Sequence, residues 1–142
     1  MYGFFYAQSE YSIGNNTIHL DSLIGKAKEY GYSFLALADN RMHSYYKAIK
    51  LCENASIKPI IGLELEVEGD YLLLYAKNFN GLKNLFKISS YKEIGNKITF
   101  EYLKRNNKDI FMVTTGSKGR LEKEFINRKH FNRIIEFIKW VY

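Results

Sequence analysis

Pro59-Ile60-Ile61-Gly62-Leu63-Glu64-Leu65-Glu66-Val67, then Glu68-Gly69-Asp70, then Tyr71-Leu72-Leu73-Leu74-Tyr75-Ala76: two apolar runs of strand length separated by three residues. A parallel crossover needs about a dozen residues or more. The pair is therefore expected to be an antiparallel hairpin. Proline at the opening suits the first residue of a strand. The second half of the first run alternates apolar and acidic side chains, so one of its faces meets water or a cavity there.

Upstream, Ser33-Phe34-Leu35-Ala36-Leu37-Ala38 is a continuous apolar run closed by Asp39, the pattern of a strand buried on both faces. Tyr45, Ala48, Ile49 and Cys52 recur at helical spacing between these two strands, and Leu20, Leu23, Ile24 and Ala27 do so before them. Thr17 is expected to cap the earlier helix, and Gly31 stands where its C-terminus calls for a left-handed residue. Tyr2 to Ala7 reads as a first strand, followed by a polar loop from Gln8 to Asn16. Downstream, Leu82, Leu85 and Phe86 mark a helix, Asp109 to Thr115 a fifth strand, and Phe131, Ile134, Ile135 and Ile138 a last helix. Strands alternating with helices predict an α/β fold, a mainly parallel sheet with one β-hairpin.

The 142 residues suit one domain, with 46% hydrophobic and 25% charged residues. No apolar run reaches membrane-spanning length, and the N-terminus lacks the basic start and apolar core of a signal peptide. A cytoplasmic protein with no membrane partner is expected. One cysteine, Cys52, excludes an internal disulfide, and on a helix's apolar face it packs as a small hydrophobe. The net charge of +6 suits a phosphate-rich partner, yet the lysines are scattered rather than clustered.

Five segments resemble the PHP domain of bacterial DNA polymerase III alpha subunits, in order and at similar spacing. Gln8-Ser9-Glu10-Tyr11-Ser12 resembles the end of an opening motif, His-x-His-Ser-Glu-Tyr-Ser. Leu35-Ala36-Leu37-Ala38-Asp39 resembles an apolar strand ending in Thr-Asp-His, and Ile57 to Glu64 resembles Ile-Lys-Pro-Ile-Ile-Gly-x-Glu. Leu74 to Asn78 with Gly81 to Leu85 resembles a strand–helix unit, and Val113 to Gly119 a strand ending in a Ser-Gly-Cys-type turn. The resemblance implies a distorted relative of the (β/α) barrel with a pocket at the C-terminal strand ends. It further implies that residues 1–142 supply only the N-terminal portion of a PHP domain. The later Asp-x-His motif and the polymerase core have no counterpart here. A barrel cut part-way would leave strand edges open, so the chain is expected to pair with itself or lean on its parent.

In the family, histidines and carboxylates hold divalent metals that can generate hydroxide and clamp a phosphodiester. Carried over by the resemblance, the pocket positions hold Tyr6, Gln8, Asn15, Asp39, Asn40, Glu64, Tyr71 and Ser117. Only Glu64 keeps a family ligand's identity. Amide carbonyls are poor zinc ligands, and a phenol with a pKa of about 10 stays protonated at neutral pH. A degenerate metal site is therefore expected, with no catalytic residue, metal or other cofactor. Asp39 is expected to cap the second helix or hydrogen-bond the loop, and Glu64 to accept from Tyr6 or Tyr71 or to be solvated. His19, His43 and His130 match no family ligand.

The resemblance implies a PHP module of a replicative polymerase alpha subunit, with a structural or docking role in DNA replication. Its partners would be the rest of the alpha subunit, other replisome subunits such as a proofreading exonuclease, and DNA through the parent protein. The alternative is a divergent metal-dependent phosphoesterase or 3′–5′ exonuclease using Glu64, Asp39 and His43. Plain nucleic-acid binding driven by the net charge is a third reading.

Overall fold

The structure, a computed structural model, describes residues 2–116 together with Gly119 and Lys139. The element order is β1 (Gly3–Ala7), α1 (Leu20–Glu29), β2 (Phe34–Asp39), α2 (Tyr45–Asn54), β3 (Lys58–Val67), β4 (Asp70–Ala76), α3 (Phe79–Glu93), α4 (Phe100–Asn106) and β5 (Ile110–Thr114). A short 3₁₀ turn, Met42–Ser44, leads into α2. The expected last helix, at Phe131 to Ile138, lies outside the described residues.

The strands form one sheet in the order β1-β2-β3-β4-β5. β1 runs parallel to β2 and β2 to β3, each across a helical crossover. β4 is antiparallel to both β3 and β5. Thus β1, β2, β3 and β5 share one direction and β4 alone is reversed, a mixed α/β sheet in keeping with a partial PHP-type barrel. The reversal at β3–β4 is the hairpin read from the sequence. Val67 pairs with Asp70, and the two intervening residues, Glu68 and Gly69, have positive φ of 51° and 82°, as a type I′ turn requires. α3 and α4 together occupy the link from β4 to β5. α4 carries no helical periodicity in the sequence that would mark it. Thr99 caps it, its hydroxyl oxygen accepting from the Tyr102 amide at 3.1 Å, and it buries Leu103.

The helices cover one face of the sheet. α1 buries Leu20, Ile24 and Ala27, and α2 buries Ala48 and Cys52, against Leu35 and Leu37 of β2. α3 and α4 contribute Leu85, Ile88 and Leu103, packed on Leu63, Leu65 and Val67 of β3 and Leu72 and Leu74 of β4. Side chains alternate across a strand, so the neighbouring residues face the other way. There a third cluster among the described residues, Ala36, Ala38, Leu73 and Tyr75 with Ile60, comes from the strands. Gly62 lies beneath the Tyr75 ring. A Cβ on Gly62 would sit 2.5 Å from that ring, so a side chain there would displace Tyr75.

Two helix ends use one device with different residues. After α1, the Gly31 amide donates to Lys28 O and the Tyr32 amide to Ala27 O, at 3.0 and 2.9 Å. After α2, the Ser56 amide donates to Glu53 O and the Ile57 amide to Cys52 O, at 3.0 and 2.9 Å. Both are Schellman closures, and both place their pivot in the left-handed region: Gly31 at φ 68°, as its position suggested, and Ser56 at φ 59°. Serine is strained there because its Cβ crowds the backbone. Ser56→Gly should therefore raise the unfolding free energy by roughly 0.5–1 kcal/mol, with Gly31→Ala lowering it by a similar amount, read by urea titration.

Burial also pushes the Cys52 thiol up to about 11, because an apolar surround disfavours thiolate. Alkylation of Cys52 at pH 8 should be far slower in the native protein than in urea. Rapid native labelling would contradict this packing.

Candidate functional site

The C-terminal ends of β1 and β2 and the second half of β3 bring Tyr6, Gln8, Asp39 and Glu64 to one end of the sheet. Asp39, the last residue of β2, is only 2% exposed. Its Oδ1 accepts from the Ser9 amide at 2.7 Å and the Ser12 hydroxyl at 2.8 Å. Its Oδ2 accepts from the Ser9 hydroxyl at 2.8 Å and the Ser44 hydroxyl at 2.5 Å. These four bonds match the acceptor capacity of an ionised carboxylate. Asp39 thus holds the loop after β1 and the entrance to α2.

Glu64 is 3% exposed, and its donors come from β1 and the loop beyond. The Tyr6 hydroxyl donates to Oε1 at 2.9 Å and the Gln8 amide to Oε2 at 2.7 Å. Gln8 also approaches Ala38 O at 3.2 Å. Tyr71 stands opposite Glu66 in the β3–β4 ladder, one step along the same face, and Leu73 stands opposite Glu64.

The other aligned positions contribute unequally. Asn40 follows Asp39, and its backbone amide donates to Ser12 Oγ at 3.1 Å. Its side-chain Oδ1 is buried with no hydrogen-bond partner. Asn15 is exposed in the loop. The neighbouring Asn16 does the work there, donating to Gln8 O at 2.8 Å and accepting from the Thr17 and Ile18 amides at 2.8 and 3.1 Å. Thr17 is not the cap of α1. His19 takes the N-cap position without a side-chain bond, and Glu10 Oε2 accepts from the Leu20 amide at 2.7 Å. A carboxylate at a helix N-terminus is favoured by the dipole as well. Ser117 and His130 lie outside the described residues.

One charged group at the rim was not anticipated. Lys92 of α3 donates from Nζ to Asn40 O at 3.2 Å. Burial lowers its pKa, and Arg41 adds to this, while Glu64, Glu93 and Glu66 pull the other way. His43 pairs with Glu93 at 3.5 Å, and Glu93 also accepts from Ser89 at 2.9 Å. Among the described residues no three His, Cys, Asp or Glu side chains converge to hold a metal ion.

Two partly buried hydroxyls give the site its alkaline limit. Burial and then the bond to Glu64 raise the Tyr6 pKa well above its usual value. Tyr75, whose hydroxyl donates to Phe5 O at 2.6 Å, is pushed up to about 12 by burial and then by Glu64. With both folded values above the unfolded value of about 10, the folded state keeps protons that the unfolded state loses. Stability should hold below pH 9 and fall as pH rises from about 10 through 12. Tyr6→Phe should flatten that fall in urea midpoints measured against pH. The acidic residues differ in what depends on them. Asp39→Ala should cost on the order of 3–4 kcal/mol, because several buried donors lose their acceptor together. Glu64→Ala should cost about 1.5–3 kcal/mol. Paired urea titrations would reverse this ranking if Glu64 were the main tether.

Comparison with known proteins identifies the family. The PHP domain family matches residues 6–142. Over 126 residues the chain is 36% identical to DNA polymerase III subunit alpha of Bacillus subtilis, covering 80% of this chain and 11% of that protein. Over 151 residues it is 34% identical to DNA polymerase III subunit alpha of Halalkalibacterium halodurans, covering 94% of this chain and 13% of the relative. The chain therefore spans about a tenth of the length of these relatives. A crystal structure from Bifidobacterium adolescentis, named as a metal-dependent phosphoesterase, aligns with TM-score 0.47 and 15% identity over 99% of this chain and 55% of its own. The chain belongs to the PHP domain family, and the relatives it resembles within that family include DNA polymerase III alpha subunits of bacteria.

Proposed function

We propose that this chain is the PHP module of a replicative polymerase alpha subunit, with a metal pocket that has become a hydrogen-bonded network. Its role is then structural, bracing or docking within the larger protein, and not catalytic. The observation that carries this reading is the occupation of Glu64. Both of its oxygens are taken by neutral protein donors, Tyr6 and Gln8, at 2.9 and 2.7 Å. These two residues stand at the positions where the family's opening motif places histidines. Phenol and amide groups satisfy a carboxylate but supply poor zinc ligands.

Three further features support it. Asp39 is committed to serines and a backbone amide on both oxygens. A protein ammonium, Lys92, stands at the rim, donating to Asn40 O at 3.2 Å. Among the described residues, the histidine near the rim, His43, pairs with Glu93. On this reading its partner is the remainder of such a subunit, and other replisome subunits and DNA are reached through it.

A network of this kind should stay folded without metal, whereas a metal-built pocket loses structure when stripped. Dialysis against a chelator should leave the melting temperature unchanged, and elemental analysis should find no stoichiometric zinc or manganese. The purified chain should neither extend a primer nor hydrolyse a phosphodiester. Stoichiometric metal, or phosphodiesterase activity abolished by Glu64→Ala, would install the metal-dependent phosphoesterase reading instead.

A further inference from the structure

Asn80-Gly81 is the one Asn-Gly pair in the 142 residues. It lies in the first turn of α3, just after the N-cap Asn78. An asparagine before glycine is chemically labile, because glycine has no side chain to hinder its own nitrogen from reaching the asparagine side-chain carbon. Packing requires the glycine here. A Cβ on Gly81 would overlap the carbonyl oxygen of Asp109, just ahead of β5. The lability therefore cannot be removed at Gly81 without moving the entrance to β5. Asn80 itself is exposed, so water reaches it.

Two features of the turn oppose the reaction. The side-chain oxygen of Asn78 accepts from the Asn80 amide at 2.9 Å and from the Gly81 amide at 3.1 Å. The nitrogen that would attack thus has its proton engaged. Residue 80 is also helical, and helical torsions turn the following nitrogen away from the side chain. We propose that the first turn of α3 is a guarded deamidation site, with Asn78 as the guard. When the turn opens, the Gly81 nitrogen loses its proton and bonds to Asn80 Cγ. The Cγ–Nδ2 bond breaks, ammonia leaves, and a succinimide ring remains. Water then opens the ring at one of its two carbonyls, giving aspartate or isoaspartate. Either product lowers the net charge of +6 by one. Aspartate suits a helix N-terminus. Isoaspartate carries the backbone through Cγ, adds a carbon between residues 80 and 81, and so unseats Gly81 from Asp109. The inference rests on this turn alone and stands whether or not the pocket holds metal.

The test incubates the full chain at pH 8, in native buffer and in urea, and follows the peptide containing Asn80 by mass spectrometry after digestion. Deamidation there should be slower in native buffer by about tenfold or more, since only the opened turn reacts. Asn78→Ala removes the acceptor and should speed the native reaction by roughly fivefold. Asn78→Asp keeps an acceptor of equal capping strength and should hold the wild-type rate. Circular dichroism checks that the variants are folded. If Asn78→Ala does not fold, the wild-type comparison and Asn78→Asp decide the matter. Equal rates in native buffer and urea would overturn the proposal. So would a folded Asn78→Ala that reacts no faster than wild type, or a folded Asn78→Asp that reacts as fast as the chain in urea.

Discussion

A buried carboxylate surrounded by donors fixes the geometry on which the rest of this protein depends. Asp39 ends β2, with four hydrogen bonds converging on its two oxygens. Its partners, Ser9, Ser12 and Ser44, come from the loop after β1 and the entrance to α2. A carboxylate removed from water is tolerated only when its lone pairs are satisfied. The hydroxyls can rotate to suit it, and the Ser9 amide gives it a fixed direction. The loop is thereby pinned at both of its serines. That fixing carries Gln8 toward Glu64, and it sets Glu10 where it can cap α1.

The two buried acids divide the labour. Asp39 organises backbone, while Glu64 organises side chains, receiving Tyr6 and Gln8 across the strand ends. Around them Lys92 ties the C-terminal part of α3 to the Asn40 carbonyl, so the helix over β3 and β4 is linked to the end of β2. Gly62 permits a further link, since its missing side chain lets Tyr75 lie flat on β3 and reach Phe5 O. These contacts join β1, which is short and largely exposed, to the centre of the sheet.

Much of this was legible in the sequence, because the informative segments obey a single period. β2 is apolar up to its closing Asp39 and buried throughout, and the short link after β3 could only be a reversal. Glu64's contact with Tyr6 came from placing both at one pocket. The elements that escaped had no such signal. α4 is seven residues long, too short to show a helical face, and its cap is a lone Thr99. Thr17 has the residue type and the position of a cap, just ahead of a helix, whereas the true acceptor, Glu10, arrives from ten residues away. Asn15 and Asn16 were indistinguishable by type, and only the turn geometry selects Asn16. Lys92 is a helical lysine like many others, and only the docking of α3 gives it a place at the rim.

The two outermost strands of the described sheet carry a consequence for handling the protein. Gly3-Phe4-Phe5-Tyr6-Ala7 and Ile110-Phe111-Met112-Val113-Thr114 contain neither a charged residue nor a proline. Edge strands are usually guarded by such residues against adding a neighbour's strand. What opposes such pairing here is the repulsion of the net charge of +6. That repulsion reaches about 10 Å at 0.1 M salt and shrinks to about 3 Å at 1 M. High salt, often used to keep basic proteins from sticking, would weaken this repulsion and favour self-association.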